Sequence, residues 1–331
     1  MKPRLLPDIH FLPTDDGLSV RAPGHEAALH APGLYPWFER VSPFLDGEHS
    51  VVDLVEKLSP PAAQRVLGLV EFLLREGFAR DAEFDLPHTL SPATRSLHAG
   101  MIEYLARLAD SPERRFQSYR ECAPVAVGSG RLLAATALAL VASGIAQVRV
   151  HLVPPDPGRE KDAGANAGTE TETGAGAEVD RAALAESLAP LLHRDREVRF
   201  DFADGEPRDL PADAGALLYV SDRPDAALAG RLYALADDKG LRYGSALPDG
   251  DTVVVDRVAL PGRAGGSRGE KARVAGYAPA GRYFGGPAAA LAANQLSRNL
   301  LRHAAGLADL DGEQEPTANV LELPAASFRA R

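Results

Sequence analysis

The sequence predicts an α/β chain. An N-terminal winged-helix-like module of three short strands and three helices is followed by a Rossmann-like, mostly parallel sheet domain. Three observations predict this. Within residues 1–85, short extended pieces broken by turn residues give way to segments with helical spacing. Around residues 122–153, an apolar strand, a Gly-x-Gly turn, an Ala/Leu helix and a second strand form one β-α-β unit. Beyond residue 180, helical stretches alternate with short apolar runs, as in a sheet whose crossovers are helices.

In the first module the extended pieces are Asp8–Leu12, Leu18–Arg21 and Glu26–His30. Thr14-Asp15-Asp16-Gly17 and Ala22-Pro23-Gly24 turn the chain between them. The helices come next. Leu34–Phe44 carries Leu34, Trp37, Phe38, Val41 and Phe44 at helical spacing. Ser50 caps Val51–Leu58, with Asp53 three residues on completing a capping-box-like start. Ala62–Glu76 runs as a strong helix and stops at Gly77.

That third helix is apolar on more than one face. Val66, Leu69, Val70 and Leu73 form a stripe suited to the module's own core. Leu67 and Leu74, with Gln64 and Glu71 nearby, lie on a neighbouring face. Two readings of this second face stand: a wide core stripe, or the lining of a groove for a peptide. Charge discriminates among ligands. Residues 1–85 hold eight Lys and Arg against fourteen Asp and Glu, a net of −6. A phosphate backbone would be repelled, whereas a peptide would not.

Residues 86–116 read as a linker helix, strongest over Pro92–Ala109, and residues 117–331 as the α/β domain. Residues 154–180, rich in Gly, Ala, Thr and Glu, cannot bury a core and are expected to form a disordered loop. Order then resumes with helix Arg181–Leu192 and strands Glu197–Phe202 and Gly215–Val220. Helix Ala226–Lys239, strand Tyr243–Leu247 and an apolar run at Thr252–Leu260 follow. Gly262–Lys271 reads as a flexible Gly/Arg-rich loop, Pro287–Ala304 as a long amphipathic helix, and Val320–Leu323 as a last edge strand.

The whole chain has 331 residues and a net charge of −10, with 45% hydrophobic residues, enough for two or three domains. The acidic balance argues against a nucleic-acid partner. The longest apolar run, Leu132–Ala142, is far short of the ~20 residues that span a bilayer. MKPRLLPDIH contains no apolar signal region, so a cytoplasmic location is expected. The single cysteine, Cys122, excludes an internal disulfide and a cysteine-rich zinc site, and reads as an edge-of-core residue.

A dinucleotide fingerprint needs a third glycine and a carboxylate at the end of the second strand. The loop instead reads Gly128-Ser129-Gly130-Arg131-Leu132-Leu133, and the second strand ends in His151. Gly128 and Gly130 alone satisfy any tight strand-to-helix turn. Ser267 sits in a Gly-x-Ser-x-Gly sequence, but without the strand-turn-helix setting of a nucleophile elbow. His98, His151 and His193 lack ligand spacing, so no metal is expected. Ser221-Asp222-Arg223-Pro224-Asp225 follows an apolar strand, where α/β sites lie, and its carboxylates read as turn formers.

Two N-terminal pieces carry a resemblance: Leu34-Tyr-Pro-Trp-Phe-Glu-Arg-Val-Ser-Pro-Phe-Leu-Asp-Gly-Glu-His-Ser50, and the third helix running out through Glu76-Gly-Phe-Ala-Arg-Asp81. Together they resemble a RiPP recognition element, the winged-helix peptide-binding module of pathways for ribosomally made, modified peptides. Val125-Ala-Val-Gly-Ser-Gly130, Leu217-Leu-Tyr-Val-Ser-Asp222 and Gly285-Gly-Pro-Ala-Ala-Ala290 resemble parts of the ThiF-like fold of adenylating enzymes. The combination looks like the ocin-ThiF-like leader-binding proteins of azol(in)e pathways. It covers nearly all of the chain outside residues 154–180.

The resemblance implies a non-catalytic partner with no cofactor. It binds a precursor's leader peptide and presents the core to a YcaO cyclodehydratase, which forms azolines. It also implies a homodimer through the ThiF-like part. The leader would add as a strand beside Glu26–His30 and press on the third helix. The expected contacts are Ala27, Leu29, Gln64, Leu67, Glu71, Leu74 and Arg75, with Gly128 and Gly130 a vestigial loop. The departures, His151 in place of an acidic residue and a lone Cys, fit lost adenylating machinery. The alternative is an active adenylyltransferase using ATP on a peptide carboxylate through Gly128, Gly130 and Asp222. A weaker third reading, a DNA-binding regulator, conflicts with the −6 charge of the first module.

Overall fold

The computed structural model describes residues 1–153, 181–262, 266–278, 280, 284–308, 318–322 and 327–330. The segment 154–180, expected to be disordered, lies outside the described residues. The chain divides into two compact units, Met1–Gln117 and Ser118–Arg331.

The first unit contains a two-stranded and a three-stranded antiparallel sheet. In the smaller, β1 (Pro3–Leu5) pairs with β5 (Ala79–Asp81). In the larger, β2 (His10–Thr14), β3 (Gly17–Ala22) and β4 (His25–His30) lie in that order, leaving β2 and β4 as edges. The central strand is the buried one: Leu18 and Val20 are fully enclosed. Helix α1 (Leu34–Val41) runs into a single 3-10 turn at Ser42–Phe44, where Pro43 removes a backbone donor. Helix α2 (Val51–Val55) starts as read: the Ser50 side chain accepts the Asp53 N–H at 3.1 Å, and Asp53 accepts the Ser50 N–H at 2.9 Å.

Helix α3 (Pro60–Arg75) begins two residues earlier than its periodicity suggested, because proline is at home in a first helical turn. It ends as expected before Gly77, whose φ of 73° few other residues adopt. Val66, Leu69, Val70, Phe72 and Leu73 are buried against Leu18 and Val20 of β3, Leu34 and Phe38 of α1, and Phe78. At roughly 1.5–3 kcal/mol per buried large apolar side chain, this cluster dominates the unit's stability.

The expected single linker helix is three helices: α4 (Pro92–Leu97), α5 (Ala99–Leu108) and α6 (Pro112–Arg120). His98 departs from helical geometry at φ −110°, ψ 24°. Ser111 takes a left-handed φ of 52°, and Pro112 can only open a new helix. Helix α6 crosses the division between the units.

The second unit is a doubly wound α/β fold. Its eight-stranded sheet has the order β13-β12-β11-β10-β9-β6-β7-β8. The strands are β6 (Pro124–Ser129), β7 (Gln147–Leu152), β8 (Arg199–Asp204), β9 (Ala216–Ser221), β10 (Arg242–Asp249), β11 (Thr252–Asp256), β12 (Ala318–Glu322) and β13 (Ser327–Ala330). From β8 through β10 neighbouring strands are parallel, and β11, β12 and β13 join antiparallel. The strand at Val320–Leu323 is therefore not the edge, because β13 pairs outside it.

The order reverses between β6 and β9, the switch point of a Rossmann-type sheet. Helix α7 (Gly130–Ala142) follows β6 directly. Helix α8 (Arg181–Arg194) precedes β8, and α9 (Ala226–Lys239) follows β9. One sheet face, with Val125, Val127, Leu217 and Tyr219, packs on Leu228, Ala229 and Leu232 of α9. Alternation sends Ala126, Leu218 and Val220 to the other face.

Gly262–Lys271, expected as a loop, contains most of a helix instead: α10 (Gly266–Ala275). Its composition is poor for a helix, and tertiary contact overrides it. Arg273 binds Asp256 of β11, and Gly230 of α9 lets the backbone at Ser267 and the Lys271 side chain come close. Ser267 thus lies in the first turn of α10. Helix α11 (Gly286–Ala304) packs on α7. Among the described residues, no helix is long and apolar enough to cross a membrane, and no group of three His, Cys, Asp or Glu could hold a metal ion.

Candidate functional site

The residues singled out by sequence fall in two places in the molecule. The first is the outer face of the first unit. Because β4 is outermost, alternate backbone N–H and C=O groups along it have no in-sheet partner, which makes it a template for another strand. Ala27 and Leu29 are half-buried and pack on the core cluster, while Glu26, Ala28 and His30 are exposed. Glu26 accepts from Arg21 at 2.9 Å and from Ser19 at 3.1 Å. His30 meets Asp16 at 2.6 Å.

Helix α3 carries the remaining expected contacts. At 100° per residue, Gln64, Leu67, Glu71, Leu74 and Arg75 fall within roughly 100° of arc, opposite the stripe that carries Val66, Leu69 and Leu73. Gln64, Glu71 and Arg75 are exposed, and Leu67 is 43% exposed, unusual for a leucine at mid-helix. Leu74 is half-buried and joins the same apolar cluster as Ala27 and Leu29. Arg75 is already engaged: its Nε lies 3.0 Å from Glu76, and its guanidinium sits 5.8 Å from the Phe72 ring centre. At the end of α3, Glu76 approaches His25 of β4 at 3.7 Å, and the His25 ring stacks on Phe78. The first residue of β4 is therefore tied to the last turn of α3.

The second place is the switch point of the large sheet. Gly128 approaches β9 so closely that a Cβ there would lie 1.9 Å from the Val220 carbonyl oxygen. Gly130 has a φ of 82°, and its Cβ would lie 2.3 Å from the Asp222 carboxyl carbon. Asp222, read from sequence as a turn former, reaches across to the start of α7. Its Oδ2 accepts the Arg131 N–H at 2.7 Å and its Oδ1 accepts the Leu132 N–H at 2.8 Å. Burial raises the Asp222 carboxyl above the ordinary range, against the pull of these two amides. Asp225 caps α9, accepting from Ala227 at 2.7 Å and Leu228 at 3.1 Å. His151, near the end of β7, contacts the Gly205 carbonyl through Nδ1 at 3.2 Å, and burial lowers its pKa. Cys122 keeps part of its surface open, yet desolvation pushes its thiol up to about 12, which leaves no thiolate for chemistry at neutral pH.

Sequence reading missed a third cluster. Arg273 of α10 binds both Asp256, at 2.6 Å and 3.1 Å, and Glu270, at 2.7 Å and 2.9 Å. Tyr243 donates to Glu270 at 3.1 Å, and Asn299 of α11 donates to the Asp256 carbonyl at 2.8 Å. Burial pushes the Asp256 carboxyl up to about 6 despite Arg273. No sequence motif announces this cluster, because its members come from β10, β11, α10 and α11.

The fold and these sites define a chain that pairs a small strand-and-helix unit, whose three-stranded sheet has β2 and β4 as its edges, with a Rossmann-type α/β unit. No protein family matches the sequence, and no curated protein does. Solved structures do match. The chain is similar to MccB of E. coli at 13% identity and a TM-score of 0.57, over 100% of this chain and 94% of MccB. MccB with AMPCPP and MccA is similar at 14% identity and TM-score 0.58, over 100% and 96% of the two chains. A heterocyclase in complex with substrate and cofactor is similar at 14% identity and TM-score 0.52. That match covers 99% of this chain, which spans only 38% of the heterocyclase. These likenesses establish the fold.

MccB has also been crystallised with ATP. The start of α7, where a phosphate would meet free N–H groups, is taken by Asp222, and its carboxylate lies where a Gly130 side chain would go. Near the end of β7 stands His151, engaged with Gly205.

Proposed function

We propose that this chain is a leader-peptide-binding protein of a modified-peptide pathway. It recruits a ribosomal precursor and presents the core to a YcaO cyclodehydratase for azoline formation, without chemistry of its own. The observations that carry the reading are the open β4 edge and, on the same unit, an α3 face that exposes Leu67 between Gln64 and Glu71. An extended peptide adds to such an edge through main-chain bonds, and its alternate side chains press on the helix. Half-buried Ala27, Leu29 and Leu74 offer the apolar floor, and Gln64, Glu71 and Arg75 the polar rim. Tethering a leader here raises the effective concentration of the attached core at a partner's active site. Further support is the likeness in fold to MccB solved with MccA and to the heterocyclase solved with substrate.

The test is fluorescence polarisation with a labelled leader peptide from the short reading frame nearest this gene, titrated with the full chain. Micromolar or tighter binding is expected, lost in Leu67→Glu. Peptides N-methylated at single positions should lose affinity in an alternating pattern, because only every second amide enters a ladder. No binding to the intact chain would overturn the reading. The competing reading, adenylyl transfer, has the likeness to MccB solved with ATP in its favour. It requires the chain alone to release pyrophosphate from ATP.

A further inference from the structure

We propose that Asp222 is a resident anion that takes the place of a bound phosphate and closes the switch point of the large sheet. The α7 N-terminus presents N–H donors and the positive end of a helix dipole, an arrangement that attracts an anion wherever one can reach it. In this chain the anion is covalently attached. Both oxygens of Asp222 are used, one on the Arg131 N–H and one on the Leu132 N–H. The residue is only 8% exposed, which shields the contact from water.

The surroundings are shaped for that carboxylate. Gly130 lacks the side-chain atom that would collide with it, so the glycine serves Asp222 in the way a nucleotide-binding glycine serves a pyrophosphate. The joint is then sewn shut. The Asp222 N–H donates to the Ser129 carbonyl at 3.2 Å, and the Ser129 and Ser221 hydroxyls meet at 3.0 Å. Ser221 donates onward to the Arg223 carbonyl at 2.8 Å. A phosphate entering here would have to expel a buried carboxylate of its own sign. The crevice that binds ligands in similar sheets is in this chain a fixed joint between β6, β9 and α7. The inference does not rest on the peptide reading, which concerns the other unit.

The experiment is chemical rescue in the full-length protein. Asp222→Ala removes the anion and leaves a carboxylate-sized space under two amides. Melting temperatures of wild type and variant are compared in tens of millimolar chloride, formate or inorganic phosphate at matched ionic strength. The variant should melt below wild type in chloride and recover about 2–4 °C in formate or phosphate, while wild type does not respond. Calorimetric titration of wild type with Mg·ATP should give no binding up to millimolar concentrations. A folded variant indifferent to the anion would overturn the proposal, as would wild type binding Mg·ATP with micromolar affinity. If Asp222→Ala does not fold, Asp222→Asn keeps an acceptor, fills the same space and loses only the charge; it should melt below wild type at pH 7, and an Asp222→Asn protein as stable as wild type would overturn the proposal.

Discussion

Asp256 makes stability depend on pH in a direction opposite to that of most carboxylates. Burial lifts its carboxyl from an ordinary 3.8 to about 6 in the folded chain. The folded state therefore holds the proton more tightly than the unfolded state. Stability from this group is full below the unfolded pKa and is lost as pH rises through the folded one. At about 1.4 kcal/mol per pH unit, the interval between the two values corresponds to about 3 kcal/mol. The perturbation is Asp256→Asn, which resembles the protonated form and does not titrate. Urea unfolding of wild type and variant, at steps from pH 4 to 7.5, isolates the site by difference. The wild-type advantage over the variant should fall by about 2 kcal/mol between pH 4 and pH 6.5 and level off above pH 7, part of the unfolded-state ionisation being already complete at pH 4. The loss of a partner for Arg273 enters as an offset independent of pH, since Glu270 still binds it. A difference flat across the range, or rising with pH, would refute the reasoning.

Three further outcomes follow from buried or exposed contacts. Arg120 is 4% exposed and binds Asp195 at 2.7 Å and the Gly144 carbonyl at 2.9 Å. Arg120→Met removes the guanidinium that neutralises buried Asp195 and should cost about 3–5 kcal/mol in urea unfolding, partly recovered by adding Asp195→Asn. Ser50→Ala removes the side-chain half of the α2 capping box, the acceptor of the Asp53 N–H and the hydroxyl bond to Asp53, while the backbone N–H bond to the Asp53 carboxylate stays; it should cost about 1 kcal/mol, read by the same assay. Leu67→Glu, on an exposed face, should leave stability within about 0.5 kcal/mol while abolishing peptide binding. A large fall in its melting temperature would make the lost binding uninformative.

What the sequence disclosed was what lies within one element. The α3 stripes were legible because helical period alone separates Val66, Leu69 and Leu73 from Gln64, Leu67 and Glu71. The Ser50 capping box and the Gly77 stop were legible for the same reason. Features set by distant partners were not. That β4 is an edge depends on strand order, which spacing does not encode. Asp222 looked like a turn residue because its partners lie ninety positions away, across the sheet. Helix α10 was hidden by its glycines, whose weak propensity is overcome by the Arg273 ion pairs. The breaks at His98 and Pro112 were missed because the apolar spacing continues across the first and proline opens a new helix at the second.

The hydroxyl contacts among Tyr119, Ser143 and Ser297 bear on the order in which this molecule is made. Tyr119 meets Ser143 at 2.6 Å and Ser297 at 2.9 Å, so the end of α6, the residue after α7 and the middle of α11 converge on one buried point. Ser143 and Ser297 are separated by 154 positions. At roughly 5–20 residues per second on the ribosome, α7 waits about 8–30 s for the helix that covers it. Through that interval a helix in which nine of thirteen residues are alanine or leucine lacks the packing that α11 supplies. The cluster that joins β3, α1 and α3 draws only on residues up to Ala79, so it needs no such wait.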